Sequence, residues 1–281
     1  MAGILWGRKK SESPAIPEHT LRPAAVKIEM VCTSHVGLVR ENNEDNFWIA
    51  DVYMLEEHQS LDGDIIFRTY TNQKPLAAVF DGMGGCAHGE AASYEAAAAL
   101  NFYMSGFDER IHGYSEDFIR EMILGMNESV VHRRQQLHNV QMGTTVSLMA
   151  FDEQQFWIAN VGDSPVYLIR DLSIRMISRP HNNQKMLDEI ASKRKAGLTQ
   201  YLGIPAEEFE LTPYIKSEGY KEGDVFLICS DGLTDMVSEM EIMKIMQSRK
   251  TLREKMTTLR QRALENGGKD NITIILCRIG A

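Results

Sequence analysis

From Val26 onward, short apolar or β-branched blocks alternate with longer stretches of helical spacing. Residues 27–33 alternate apolar and polar and predict a strand. Residues 46–53 and 64–71 are rich in β-branched and aromatic side chains, and a turn at 61–63 predicts that they pair as a hairpin. Residues 76–80 make a wholly apolar strand that runs straight into Asp81-Gly82. An alanine-rich helix follows at 89–104. A second helix spans 116–137, opened by Ser115 with Glu116 and Asp117 in its first turn. Strands return at 144–151, 155–161 and 166–170. Residues 179–203 mix polar, basic and glycine residues without a strand period and predict a surface flap with a short helix. Residues 225–229 form another buried strand that ends at Ser230-Asp231-Gly232. Helices at 238–247 and 251–265 and a last strand at 271–278 complete the chain. Two strand groups, each followed by a helix pair, predict an α+β fold. Its form is a four-layer αββα sandwich, two central, mainly antiparallel sheets flanked by helix pairs. One domain then covers 26–281. Residues 1–25 hold three of the eight prolines and little periodicity, and predict a flexible tail.

Charge and cysteine usage narrow the function. The formal net charge of -9 argues against nucleic acid as a partner, because phosphate backbones require clustered Lys and Arg. No apolar run approaches the roughly 18 residues of a membrane span. The apolar hexamer at 1–6 precedes its basic residues, the wrong order for a signal peptide. Cys32, Cys86, Cys229 and Cys277 form no CxxC pair, and three of them lie in strand-like runs. Buried free thiols in a reducing, cytoplasmic compartment are expected.

The informative feature is the placement of aspartates. Asp81, Asp163, Asp231 and Asp270 each fall at a strand edge, the first three beside glycine, and Asp45 sits at a strand start. A strand-end aspartate has an anchored backbone and a carboxylate that points past the sheet. Several together would line a cleft with oxygen. Clustered carboxylates repel unless protonated or bridged by cations, and all-oxygen ligation favours Mg²⁺ or Mn²⁺ over zinc. Each aspartate alone is ordinary Asp-Gly turn chemistry.

The order of the motifs carries more. Residues 37–46, Gly-Leu-Val-Arg-Glu-Asn-Asn-Glu-Asp-Asn, open a series continued by Val79-Phe80-Asp81-Gly82-Met83-Gly84-Gly85 with Gly89-Glu90. Met142-Gly143-Thr144-Thr145, Val161-Gly162-Asp163-Ser164, Cys229-Ser230-Asp231-Gly232-Leu233 and Lys269-Asp270-Asn271 complete it. Each motif is short; in this order they are specific. The series resembles the metal-dependent protein phosphatases, the type 2C or PPM family, in bacterial form, over residues 27–279. The resemblance implies two core Mn²⁺ or Mg²⁺ ions. Asp81 would bridge them, the Gly82 carbonyl would bind the second, and Asp231 and Asp270 would hold the first. Asp45, with Glu44 nearby, would contact the site directly or through water. Asp163 and Asp235, with Asp231, match a third, weaker ion site. Arg40 matches the arginine that grips the substrate phosphate.

The implied chemistry is hydrolysis of phosphoserine and phosphothreonine in proteins. Two cations about 4 Å apart can share a water and lower its pKa, and a guanidinium suits bidentate contact with phosphate oxygens. The implied partners are phosphoproteins, either kinase substrates or a serine/threonine kinase itself, met by a monomer. Departures from the family pattern lie on the substrate side. Pro165 stands where arginine is usual, and Gln200 replaces the flap arginine. Met83 stands where animal-type members carry a histidine, leaving His88 or water as the acid. Two other functions are compatible with the same motifs: a catalytically weak binding or sensing module, and a phosphohydrolase of small phosphate esters.

Overall fold

The computed structural model describes residues 26–61, 65–83, 88–108, 112–189 and 196–280. The expected tail 1–25, Asp62 and Gly63 of the expected turn, Gly84, Gly85, Cys86, and Lys193, Arg194 and Lys195 of the flap lie outside the described residues.

Eleven strands are described: β1 Lys27–His35, β2 Asn46–Ile49, β3 Ile66–Thr71, β4 Leu76–Phe80, β5 Val146–Phe151, β6 Gln155–Val161, β7 Val166–Arg170, β8 Ser173–Met176, β9 Tyr214–Gly219, β10 Val225–Cys229 and β11 Ile272–Gly280. Six helices accompany them: α1 Gly89–Ser105, α2 Glu116–Gln136, α3 Gln184–Glu189, α4 Asp231–Thr234, α5 Glu239–Met246 and α6 Leu252–Glu265. One sheet has the order β3-β1-β11-β10-β7-β8, the other β2-β4-β5-β6-β9, and every strand pair is antiparallel.

The central strands are apolar on both faces because both faces are covered. Phe226 and Ile228 of β10 pack between the sheets with Ala77 and Val79 of β4. Leu227 and Cys229 face α5 and α6. Leu76, Ala78 and Phe80 face α1 and α2. The result is the four-layer sandwich expected from the sequence. Alanines 91, 92, 96 and 97 let α1 lie close on its sheet. Capping boxes at Ser238 with Glu241 and Thr251 with Glu254 start α5 and α6 where the sequence places them. Cys32, Cys229 and Cys277 are buried free thiols. Among the described residues no helix is long and apolar enough to cross a membrane.

One expected pairing is wrong. Residues 46–53 and 64–71 do not form a hairpin, since β2 pairs with β4 in one sheet and β3 with β1 in the other. The chain leaves β2 after four residues, where Ala50 and Asp51 both adopt positive φ and Val52 bonds back to Ile49. Strands β8 and β9 have no counterpart in the sequence reading. Both are edge strands, short and half-polar, and so lack the apolar signal that marks central strands.

Candidate active site

Antiparallel register brings the aspartates to one end of the sandwich. Asn46 pairs with Phe80, so Asp45 and Asp81 leave the same edge of one sheet. Cys229 pairs with Ile274, so Asp231 and Asp270 leave the facing edge of the other. The two edges meet where the Asp231 N–H donates to Oδ2 of Asp81 at 3.3 Å. A cleft of about 190 Å³ opens there, lined by Arg40, Asp81, Gly82, Asp163, Asp231 and Asp270. Met83, Thr145 and the flap residues Ala196 and Leu198 complete its walls.

Each side chain is held by identifiable bonds. The Asp81 N–H donates to Thr145 Oγ1 at 3.1 Å. Ser164 lies 2.8 Å from that same hydroxyl and donates to Asp81 Oδ2 at 3.4 Å. Asp270 receives its own neighbour's N–H, from Asn271, on Oδ1 at 2.9 Å and Arg40 Nη2 on Oδ2 at 2.8 Å. Arg40 also reaches Glu44 at 3.9 Å. Tight backbone crossings explain two motif glycines. A Cβ on Gly82 would lie 2.3 Å from the Glu44 carbonyl oxygen, and one on Gly232 would lie 1.9 Å from that of Asn271.

Three expected site residues do not line the cleft. Asp45 is buried behind it and accepts a hydrogen bond from Ser230 Oγ at 2.7 Å. Glu44 lies beside the start of α1, against Gly89. Asp235 is exposed at the end of α4, its N–H bonded to the Asp231 carbonyl at 2.8 Å. His88, the candidate acid, adopts a left-handed conformation at the start of α1 and is not part of the cleft wall.

The electrostatics favour a bound cation. Burial, followed by Asp231, Asp45 and Asp163, pushes the Asp81 carboxyl well above the carboxylate range. Burial raises Asp45 to about 7, with Asp231 and Asp270 adding to the effect against the Ser230 and Thr273 hydrogen bonds. Burial likewise lifts Glu44 to about 7, helped by Glu90 and Asp270 and opposed by Arg40. Positive charge placed among these groups would relieve each penalty, and the all-oxygen donors suit Mg²⁺ or Mn²⁺. Among the described residues, no three His, Cys, Asp or Glu side chains are already close enough to hold one ion. Asp270 has both oxygens engaged, by Arg40 and by the Asn271 N–H.

One residue of the site carries a role that the sequence did not reveal. Asn271 donates from Nδ2 to the carbonyls of Val36 and Asn42, both at 2.9 Å, and accepts the Glu44 N–H on Oδ1 at 2.8 Å. It ties the loop that carries Arg40, Glu44 and Asp45 to the segment that carries Asp270 into β11. Its adjacency to Asp270 in the motif was the available signal, but its partners lie more than 220 residues away in the chain.

This fold has known counterparts. A family profile described as protein phosphatase 2C matches residues 56–275. The serine/threonine phosphatase stp of Listeria monocytogenes serovar 1/2a is 31% identical over 230 residues, covering 78% of this chain and 90% of that protein. The crystal structure of the Mycobacterium tuberculosis serine/threonine phosphatase PstP/Ppp superposes with a TM-score of 0.73 at 25% identity, covering 91% of this chain and 100% of that one. A structure of the PstP catalytic domain in complex with two manganese ions gives 0.72, also at 25% identity and with the same coverage. Strand order, aspartate placement and these likenesses agree: the chain belongs to the protein phosphatase 2C family and is a bacterial-type serine/threonine protein phosphatase.

Proposed function

We propose that this chain hydrolyses phosphoserine and phosphothreonine in proteins by a two-metal mechanism and opposes a serine/threonine kinase. The observation that carries this reading is the meeting of Asp81, Asp231 and Asp270 with Arg40 in one cleft between the two sheet edges. Residues 26–281 act as one catalytic domain, whose flap contributes Ala196 and Leu198 to the cleft wall. Asp81, Asp231, Asp270 and the Gly82 carbonyl are the groups that would hold the two cations. Asp45 and Glu44 support the ligands from behind. A third ion would draw on Asp163 and Asp231, with Asp235 one turn away.

Two Mn²⁺ or Mg²⁺ ions, when bound, would supply Lewis acidity and lower the pKa of the attacking water. The protein supplies the rest. Arg40 leaves Asp270 to fork onto the phosphate, fixing it for in-line attack. Thr145 anchors the Asp81 backbone N–H, and Ser164 restrains the Asp81 carboxylate. The Met83 thioether has no proton to give, so the leaving oxygen takes its proton from water. The manganese-bound PstP structure supports the metal requirement.

A manganese-dependent assay of phosphate release from a panel of phosphothreonine peptides tests the reading. Release that stops with chelator and returns with Mn²⁺ is expected. Turnover of small phosphate esters alone, with none of the peptides cleaved, would refute the protein-phosphatase assignment.

A further inference from the structure

On the far side of the flap lies a second groove of about 730 Å³. Its walls include Arg179, Pro180, His181, Lys185, Pro213 and Tyr214. It shares a wall with the catalytic cleft. Asn182 lines the groove, yet its Nδ2 donates to Oδ2 of Asp163 at 3.5 Å, and its backbone bridges to Leu198. Asp163 and Leu198 both line the cleft. Backbone bonds from His181 N–H to the Gly162 carbonyl, 2.9 Å, and from Thr199 N–H to the His181 carbonyl, 2.8 Å, fix the flap stem at the end of β6. Gln200 Oε1 accepts the Thr212 N–H at 2.8 Å and closes the opposite wall.

The charge in this groove is one-sided. Arg179 and Lys185 are exposed cations, and no carboxylate is among the lining residues. The nearest acids on α3 are Asp188, engaged by Gln184 Nε2 at 2.6 Å, and Glu189. This occurs on a chain of net charge -9. Elsewhere on the surface the balance reverses, since Glu56, Glu57 and Glu90 line a separate hollow. Pro180, Pro213 and Tyr214 give the groove stiff apolar surface for a backbone to lie on, at little entropic cost.

We propose that this groove receives an acidic segment flanking the phosphorylated residue, so that the preferred substrates are phosphoproteins with Asp or Glu beside the phosphosite. The proposal rests on the phosphatase reading and specifies its substrate class. Continuity with the cleft lets one extended chain occupy both, and complementary charge orients it.

Two phosphothreonine peptides that differ only in having Asp and Glu or Lys and Arg beside the phosphothreonine provide the test, with the full chain and Mn²⁺. The wild type is expected to favour the acidic peptide in kcat/KM. Arg179→Glu combined with Lys185→Glu should cut the acidic-to-basic ratio by roughly tenfold, at the low end of electrostatic steering effects. Arg179→Gln with Lys185→Gln should cut it less, and guards against a folding defect from charge reversal. The difference should shrink as salt rises, because screening shortens to about 3 Å at 1 M. An unchanged ratio in the variant, or a wild type that prefers the basic peptide, overturns the proposal. If neither peptide turns over, the phosphatase reading fails instead. Fluorescence anisotropy with a non-hydrolysable phosphonate form of the acidic peptide then decides for the groove: weaker binding by the variant supports it, equal binding overturns it.

Discussion

Nη2 of Arg40 lies 2.8 Å from Oδ2 of Asp270, a contact that spans 230 residues of sequence. The residue proposed to grip phosphate is therefore held by a carboxylate proposed to hold a cation. The Arg40 side chain is 37% exposed and that of Asp270 28%, so solvent screens the pair and its rupture costs little. On the proposed roles, a substrate phosphate would take over the guanidinium as a cation takes over the carboxylate.

Arg40→Ala should raise KM for a phosphothreonine peptide with a smaller loss of kcat, the pattern of a contact made equally in ground and transition states. Arg40→Lys should recover only part, because an ammonium lacks the fork. The alanine variant should also reach half-saturation at lower Mn²⁺, since Asp270 loses a competing partner. Steady-state kinetics with Mn²⁺ titration measure both. An unchanged KM would leave Arg40 as an ion-pair partner of Asp270 only.

Asp81→Asn should abolish turnover and yet stabilise the metal-free protein. Burial and neighbouring carboxylates raise the folded-state pKa of Asp81 above its unfolded value. The folded state then binds the proton more tightly, so stability falls as pH rises from the ordinary carboxylate range through the raised value. Asparagine removes that loss. Thermal melts in chelator should show a higher Tm for the variant at pH 7.5, and the gain should vanish near pH 4. A variant less stable than wild type at pH 7.5 would contradict the electrostatic account.

Asn271→Ala should destabilise the fold by about 2–3 kcal/mol, because two backbone carbonyls and one N–H lose a partner in a part-buried site. The loop from Val36 to Glu44 should loosen, raising KM as Arg40 loses its placement. Urea unfolding and peptide kinetics test the two effects together. Loss of stability with KM unchanged would confine Asn271 to a structural role.

Gly232→Ala should cost about 2 kcal/mol or more and weaken Mn²⁺ binding. The new Cβ would stand 1.9 Å from a backbone oxygen, and the shift falls on the turn that begins with Asp231. Gly197→Ala is the control. Among the described residues nothing lies within 4 Å of its added Cβ, and its stability should change by no more than about 0.5 kcal/mol. Calorimetric Mn²⁺ titration of both variants checks the contrast.

Much of the fold was legible because its signals are local. Strands buried on both faces, such as β4 and β10, are continuous apolar runs of five residues. The caps of α2, α5 and α6 stand where Ser115, Ser238 and Thr251 mark them. The hairpin expected at 61–63 failed for the same reason: adjacent β-rich segments suggest pairing, but two positive-φ residues at the end of β2 send the chain to the other sheet. Edge strands β8 and β9 escaped notice because one side of each lacks a partner strand and their residues are half-polar.

By itself the sequence determined which aspartates end strands, their order along the chain, and the apolar layers that hold them. Those properties depend on neighbours a few residues away. Only the tertiary structure decided that Asp45 lies buried outside the cleft lining, that Asp235 is not among its lining residues, that Arg40 rests on Asp270, and that Asn271 ties their elements together. It also decided that Arg179 and Lys185 share a groove with Pro213 and Tyr214. These relationships join segments tens to hundreds of residues apart. They are set by strand register and sheet-on-sheet packing, which no local pattern encodes.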